Sequence, residues 1–193
     1  MKLHKILSIN GERVELVKDD VRLDLKSPGR ATFTIQAQAP VRGLVTLDIG
    51  YNERTLQRHF IGYVERCTAA NRVEQVLFCR EMAAILAKPL PLNLRHVDLR
   101  AVLTEISQHT GLRFRVPEQA YASVKAPFFY SLAAGYQALD SMARVFNIPD
   151  FIWQQQGDGE VFVGRWADSF LVPGSRCPGP VRHLRQLPAP VRG

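Results

Sequence analysis

The 193 residues carry 46% hydrophobic and 22% charged side chains, an ordinary globular composition that excludes disorder for most of the chain; at about 100 to 200 residues per domain, the length suits two small units. The net charge of +7 is concentrated at one end: residues 173–193 hold Arg176, Arg182, Arg185 and Arg192 and no acid, leaving 21 basic and 18 acidic groups elsewhere. The longest uncharged run, residues 126–139, has 14 residues and includes Pro127, Ser131 and Gln137, short of the roughly 20 apolar residues of a spanning helix.

Up to about residue 80 the pattern is all β, with turn signals about every ten residues, the spacing of a small sandwich or barrel. Asn10-Gly11 supplies the positive φ angles of a two-residue type I′ turn between strands at 6–9 and 13–17. Val21, Leu23 and Leu25 alternate with charges, Ser27-Pro28-Gly29 turns, and Phe33, Ile35 and Ala37 resume the period of two. A third hairpin places Val45, Leu47 and Ile49 on one face, turns at Asn52, and returns through HFIGYVERC (59–67); a further strand is expected at 73–78. In that returning strand Ile61 and Tyr63 make one face apolar, while Leu56, Phe60 and Val64 make the other. Gly62 between them marks either a bulge that closes a barrel or a point where a neighbouring group needs the space.

At Met82 the period changes to a short helix, ended by Pro89 and Pro91, which form a stiff connector. Residues 92–166 read as α+β. Asp98 caps a helix with Leu99, Val102, Leu103 and Ile106 on one stripe and Gly111 at its C-terminal end. LRFRVP (112–117) alternates as a strand, with Leu112, Phe114 and Val116 inward and Arg113 and Arg115 outward. A second helix begins after Ser131, with Leu132, Tyr136, Leu139, Met142, Ala143 and Phe146 on its buried stripe, stopped by Asn147 and Pro149. A hairpin at 151–154 and 160–165, turning at Gly157-Asp158-Gly159, completes the unit. The last stretch holds five prolines after residue 172 and too few bulky apolar groups to bury, so it reads as extended. The expected architecture is mixed β and α+β: a small antiparallel β-barrel at 1–86, an α+β domain of helix, strand, helix and hairpin at 87–168, and a Pro/Arg-rich extended tail at 169–193. APVRG at 39–43 recurs at 189–193, and one short match makes no structural repeat.

Signatures of chemistry are missing. Lys2, His4 and Lys5 precede an apolar run, 6–9, too brief for a signal-peptide core, so synthesis in a cytoplasm is expected. Cys67, Cys79 and Cys177 are odd in number and form no C-x-x-C pair, which argues for buried or idle thiols rather than a disulfide framework or a zinc site. His59, His96 and His109 are scattered, with His4 and His183 near the termini, and no metal-ligand spacing, nucleophile elbow, phosphate loop or dinucleotide fingerprint occurs. GDGEVFVG lacks the oxygen-ligand ladder of a calcium loop and reads as a turn. No catalytic residue, cofactor, metal or small-molecule substrate is expected. Nucleic-acid binding through Arg113, Arg115 and the basic tail is the alternative, against which the folded part is barely basic.

The order of elements carries a resemblance. FIGYVERCTAANRVEQVLFCREMAAIL (60–86), PLNLRHVDLRAVLTEISQHTGLRFRVPE (91–118) and APFFYSLAAGYQALDSMARVFNIPDFIWQQQGDGEVFVGRWADS (126–169) together resemble the phage tail baseplate hub proteins of the late control protein D family. These are related to the spike proteins of type VI secretion, and the likeness covers about residues 30–168. It implies a non-enzymatic virion tail protein, a homotrimer whose β-barrels pack round a threefold axis to join the tail tube to the central spike. Tail tube, spike and tape-measure proteins are then the partners, with no nucleic acid and no membrane span. Family members continue into a second barrel where this chain has its Arg/Pro tail, so either the C-terminus is truncated or another protein supplies that ring position. VDLRAVLTEISQHTGLRFRV also resembles the ring-building domains of secretins. The residues expected to matter are architectural: Gly62 for barrel closure, Ile61 and Tyr63 for a lateral contact, Pro89 and Pro91 for fixing the domain angle.

Overall fold

The computed structural model describes residues 3–51 and 56–171. The expected turn at Asn52, Cys177, the 189–193 copy of APVRG and the arginines of the tail lie outside the described residues.

Seven strands form the first sheet: β1 (Leu3–Ile9), β2 (Glu12–Val14), β3 (Leu16–Arg22), β4 (Arg30–Gln36), β5 (Leu44–Tyr51), β6 (Gln57–Ala69) and β7 (Glu74–Glu81). Asn10 and Gly11 make the first turn with φ of 53° and 88°, as the type I′ geometry requires. Asn10 does more than turn: its side chain donates to Arg42 O and accepts from Leu44 N–H, both at 2.9 Å, stitching the hairpin to the start of β5. Every pairing is antiparallel, in the order β2-β1-β5-β6-β7-β4-β3.

The two edges of this order are successive stretches of one chain, parted only by Glu15, and Gln36 N–H donates to Glu15 O (3.0 Å). The expected barrel is thus a sheet rolled toward closure, with no ladder joining β2 to β3 among the described residues. The alternation of its strands aims Leu7, Ile9, Phe33, Ile35, Val45, Leu47, Phe60 and Leu77 into one core. Phe33 and Phe60 meet edge-on there, at 5.9 Å and 71°. Burial of each such side chain is worth about 1.5–3 kcal/mol against solvent exposure.

A 3₁₀ turn, Met82–Ala87, leads into the second unit: β8 (Leu92–Val97), α1 (Leu99–Thr110), β9 (Phe114–Arg115), β10 (Ala126–Ser131), α2 (Gly135–Val145), β11 (Phe151–Gln155) and β12 (Val161–Arg165). Asp98 caps α1 by accepting from Ala101 N–H (2.9 Å), and Gly111 ends it at φ 72°. Leu99, Val102, Leu103 and Ile106 are all buried, and with Leu139, Met142, Phe146, Trp153 and Val161 they build a second core. Ala83 and Leu86 of the 3₁₀ turn belong to this core, so it begins upstream of the connector.

Three local expectations differ. LRFRVP pairs as a strand only at Phe114 and Arg115, in parallel with β12. The second helix starts at Gly135 rather than after Ser131, because residues up to Ser131 pair as β10 with β8 and leave Leu132 65% exposed. Strand β3 stops at Arg22, so Leu23 and Leu25, read as part of the buried alternation, are exposed. The short helix expected at Met82 is present as the 3₁₀ turn.

Candidate assembly surface

Gly62 sits on the inward side of β6, opposite Val45 and Glu81. Its φ lies outside the left-handed region, and it is not itself a bulge. The register shifts fall at His59 against β5 and at Glu65 against β7, three residues to either side. What Gly62 provides is room: a Cβ there would stand 2.1 Å from Arg80 O and 2.9 Å from the Phe60 ring. Of the two readings open in the sequence, close approach by a neighbour is the one observed.

Ile61 and Tyr63 point to the outer face, and their surroundings differ. Ile61 is 3% exposed and covered by the chain's own β11–β12 hairpin. Gln155 Nε2 donates to Ile61 O (2.8 Å), and the turn at Gly159 approaches the Ile61 side chain. This side chain is therefore already occupied within the chain and offers no lateral contact. Tyr63 remains partly exposed, its phenol pushed up by burial and the nearby Glu65 carboxylate, with Arg80 opposing. Register places Tyr63 at the end of a row of arginines: Arg22 opposite Arg30, Arg30 opposite Arg80, and Arg80 opposite Tyr63. Arg22 pairs with Asp20 (3.3 Å), whereas no carboxylate lies within ion-pair distance of Arg30 or Arg80 among the described residues. Arg80 Nε is buried without a partner, while the rest of its guanidinium lies against the Tyr136 hydroxyl of α2. Like charges facing one another across strands are destabilising, and nothing in the sequence pattern alone revealed that these three share a row.

Pro89 and Pro91 are exposed and continue the ladder of β8 and β10. Leu90 N–H donates to Ala133 O (2.9 Å), Gly135 N–H to Lys88 O (3.2 Å), and Pro89 bridges Ala134. The sheet is bonded to the second unit at Ile61 and Lys26, and the 3₁₀ turn at Ala83 and Ala84. Gln155 accepts from Ala83 N–H (2.8 Å) with the other end of the amide that holds Ile61 O. Lys26 N–H donates to Trp153 O (3.1 Å), and the Tyr136 hydroxyl to Ala84 O (3.2 Å).

At the end of β7, Glu81 is buried and accepts from Gly29 N–H (2.6 Å) without a cationic partner among the described residues. Burial pushes its carboxyl up to about 7, the Gly29 bond opposing and Asp24 assisting. Of the described cysteines, Cys79 has its thiol lifted to about 12 by burial, and Cys67 is also free. Arg113 and Arg115, the folded candidates for phosphate contacts, face Asp158 and Glu160 at 2.8–3.6 Å, so their charge is answered inside the chain. No group of three His, Cys, Asp or Glu side chains among the described residues could hold a metal, and no helix among them is long and apolar enough to cross a membrane.

The fold is similar to those of phage and prophage tail proteins and of a type VI secretion component. The 43 kDa tail protein of prophage MuSo2 from Shewanella oneidensis superimposes with a TM-score of 0.61 at 12% identity, over 86% of this chain and 56% of that one. A tail protein from Neisseria meningitidis MC58 gives 0.60 at 14%, over 85% and 51%. An E. coli type VI secretion component, described as structurally similar to the T4 tail proteins gp27 and gp5, gives 0.54 at 10%, over 81% and 48%. In sequence, the chain is 34% identical over 170 residues to an uncharacterized 58.7 kDa protein of Haemophilus phage HP1. That match takes in 88% of this chain and 32% of the phage protein, so the chain spans about a third of its curated relative and about half of the tail proteins. No family model matches.

Proposed function

We propose that the chain is a non-enzymatic structural component of a phage or phage-derived tail baseplate hub, joining tail tube to central spike within a homotrimeric ring. The observation that carries this reading is the shared fold with tail proteins of two prophage or bacterial sources, together with 34% identity to a phage protein. The rolled sheet is the tube-building barrel of this reading, residues 87–168 the accompanying α+β domain, and Pro89 and Pro91 the brace between them. The lateral contact is made by Tyr63 with Arg30 and Arg80, and the neighbouring subunit brings carboxylates to the arginine row; Ile61 and Gly62 support that face from within. Aromatic and arginine side chains of this kind are the usual anchors of protein interfaces. Light scattering on the purified protein tests it: a trimeric mass is expected, falling to the monomer in Arg30→Glu. A monomer at every concentration and salt level would overturn the ring assembly.

A further inference from the structure

The sheet of β8 and β10 has two open edges, and they differ in chemistry. Leu90 bonds to Ala133 across the ladder, and backbone direction alternates along a strand. The backbone groups of residues 89, 91, 93 and 95 therefore face away from β10, and those of 128, 130 and 132 face away from β8. On the first edge two of these positions are Pro89 and Pro91, which have no N–H. On the second they are Phe128, Tyr130 and Leu132, each with its donor and acceptor, and none of the three bonds to another element among the described residues. Natural sheets block strand addition by placing proline at an edge; this one blocks β8 and leaves β10 open.

The side chains agree with the backbone. Phe128, Tyr130 and Leu132 are 48%, 59% and 65% exposed, one apolar line along the strand, while Phe129 between them is buried. Arg95, opposite Phe128, lies over its ring at 5.6 Å and has no carboxylate within ion-pair distance among the described residues.

We infer that β10 is a docking edge for an extended segment of another polypeptide, which adds as a third strand, lays alternate apolar side chains along Phe128, Tyr130 and Leu132, and brings a carboxylate toward Arg95. A second copy of this chain fits less well, because the three side chains offer on the order of 400 Å², about half of the area each partner gives a stable interface. A single added strand draws on backbone hydrogen bonds instead and needs no wide surface. The site belongs to a different sheet from Tyr63 and does not rest on the tail-hub reading.

The test uses an acetylated, amidated heptapeptide, Val-Thr-Val-Glu-Val-Thr-Val, titrated to about 1 mM into the isotope-labelled full chain and followed by amide chemical shifts. Saturable shifts confined to residues 126–133 are expected. They should weaken by about tenfold in Tyr130→Pro, the worth of one backbone hydrogen bond, and by more than that with the one of the two alternately N-methylated peptides whose methyls fall on the N–H groups facing β10. Tyr130→Phe should bind as the native chain does, and thermal melting of Tyr130→Pro verifies that it folds; if it does not, the N-methylated peptides decide alone. No binding, or equal binding of both methylated peptides, overturns the inference. So does a dimer by light scattering that Tyr130→Phe retains and Phe128→Glu abolishes, since the occupant would then be a second copy.

Discussion

Gly62→Ala is the substitution whose effect follows most directly from the geometry. The added methyl would stand 2.1 Å from Arg80 O, 2.8 Å from Arg80 C and 2.9 Å from Phe60 Cε1. Two of these three obstacles are backbone of the paired strand β7, so no rotamer change relieves them, and β6 and β7 must separate by about an ångström at the centre of the sheet. Overpacking of this kind costs about 1–3 kcal/mol, and a backbone obstacle argues for the upper half of that range. For a chain of this size the melting temperature should then fall by about 5 to 10 °C, read by far-ultraviolet circular dichroism. Gly62→Asn gives an independent check, because asparagine tolerates the left-handed region and would be mild if conformation were the reason for glycine. It should be at least as damaging as alanine. A Gly62→Ala melt within a degree of the native one, or a benign Gly62→Asn, would refute the close-approach account.

Three further outcomes follow from the junction and the helix cap. Because burial raises Glu81 from 4.5 to about 7, the native state binds a proton that the unfolded chain has already lost between those values; stability is full below about pH 4.5, falls by up to about 3 kcal/mol as pH rises through 7, and this slope should vanish in Glu81→Gln in urea titrations across pH. Gln155→Leu leaves Ala83 N–H and Ile61 O buried and unpaired, so urea unfolding should show a loss of about 2–4 kcal/mol. Asp98→Ala removes the cap of α1 and the ion pair with Lys125, for a loss of about 1 kcal/mol in the same measurement.

The parts legible in the sequence are those whose signals are local. Helix α1 could be drawn to its ends because Asp98, the stripe from Leu99 to Ile106 and Gly111 all lie within one segment, and the Asn10-Gly11 turn likewise needs nothing beyond its own two residues. Strands β8 and β10 escaped because their local signals point elsewhere. Prolines at 89 and 91 mark a break when the chain is scanned alone, and are admissible in a strand only where the missing N–H would face an open edge. Leu132 fits the helical period with Tyr136 and Leu139, yet the pairing of 126–131 with β8 takes the chain first.

The outer face of β6 shows why a site of this kind resists sequence reading. Apolar residues on both sides of a strand establish that both faces are covered, but not whether the cover comes from the same chain. Ile61 is covered from within, because Gln155, 94 residues later, reaches its carbonyl and brings the hairpin down over the side chain. Tyr63, two residues on, stays partly exposed beside Tyr136 of α2 and ends a row of arginines that β3, β4 and β7 contribute from distant parts of the sequence. The charges of Arg22, Arg30 and Arg80 are spread through 58 positions and look like ordinary solvated strand faces one at a time. Only strand order and register make them neighbours, so the charge of Arg30 and Arg80 beside Tyr63, met by no carboxylate among the described residues, is a property of the fold rather than of any segment.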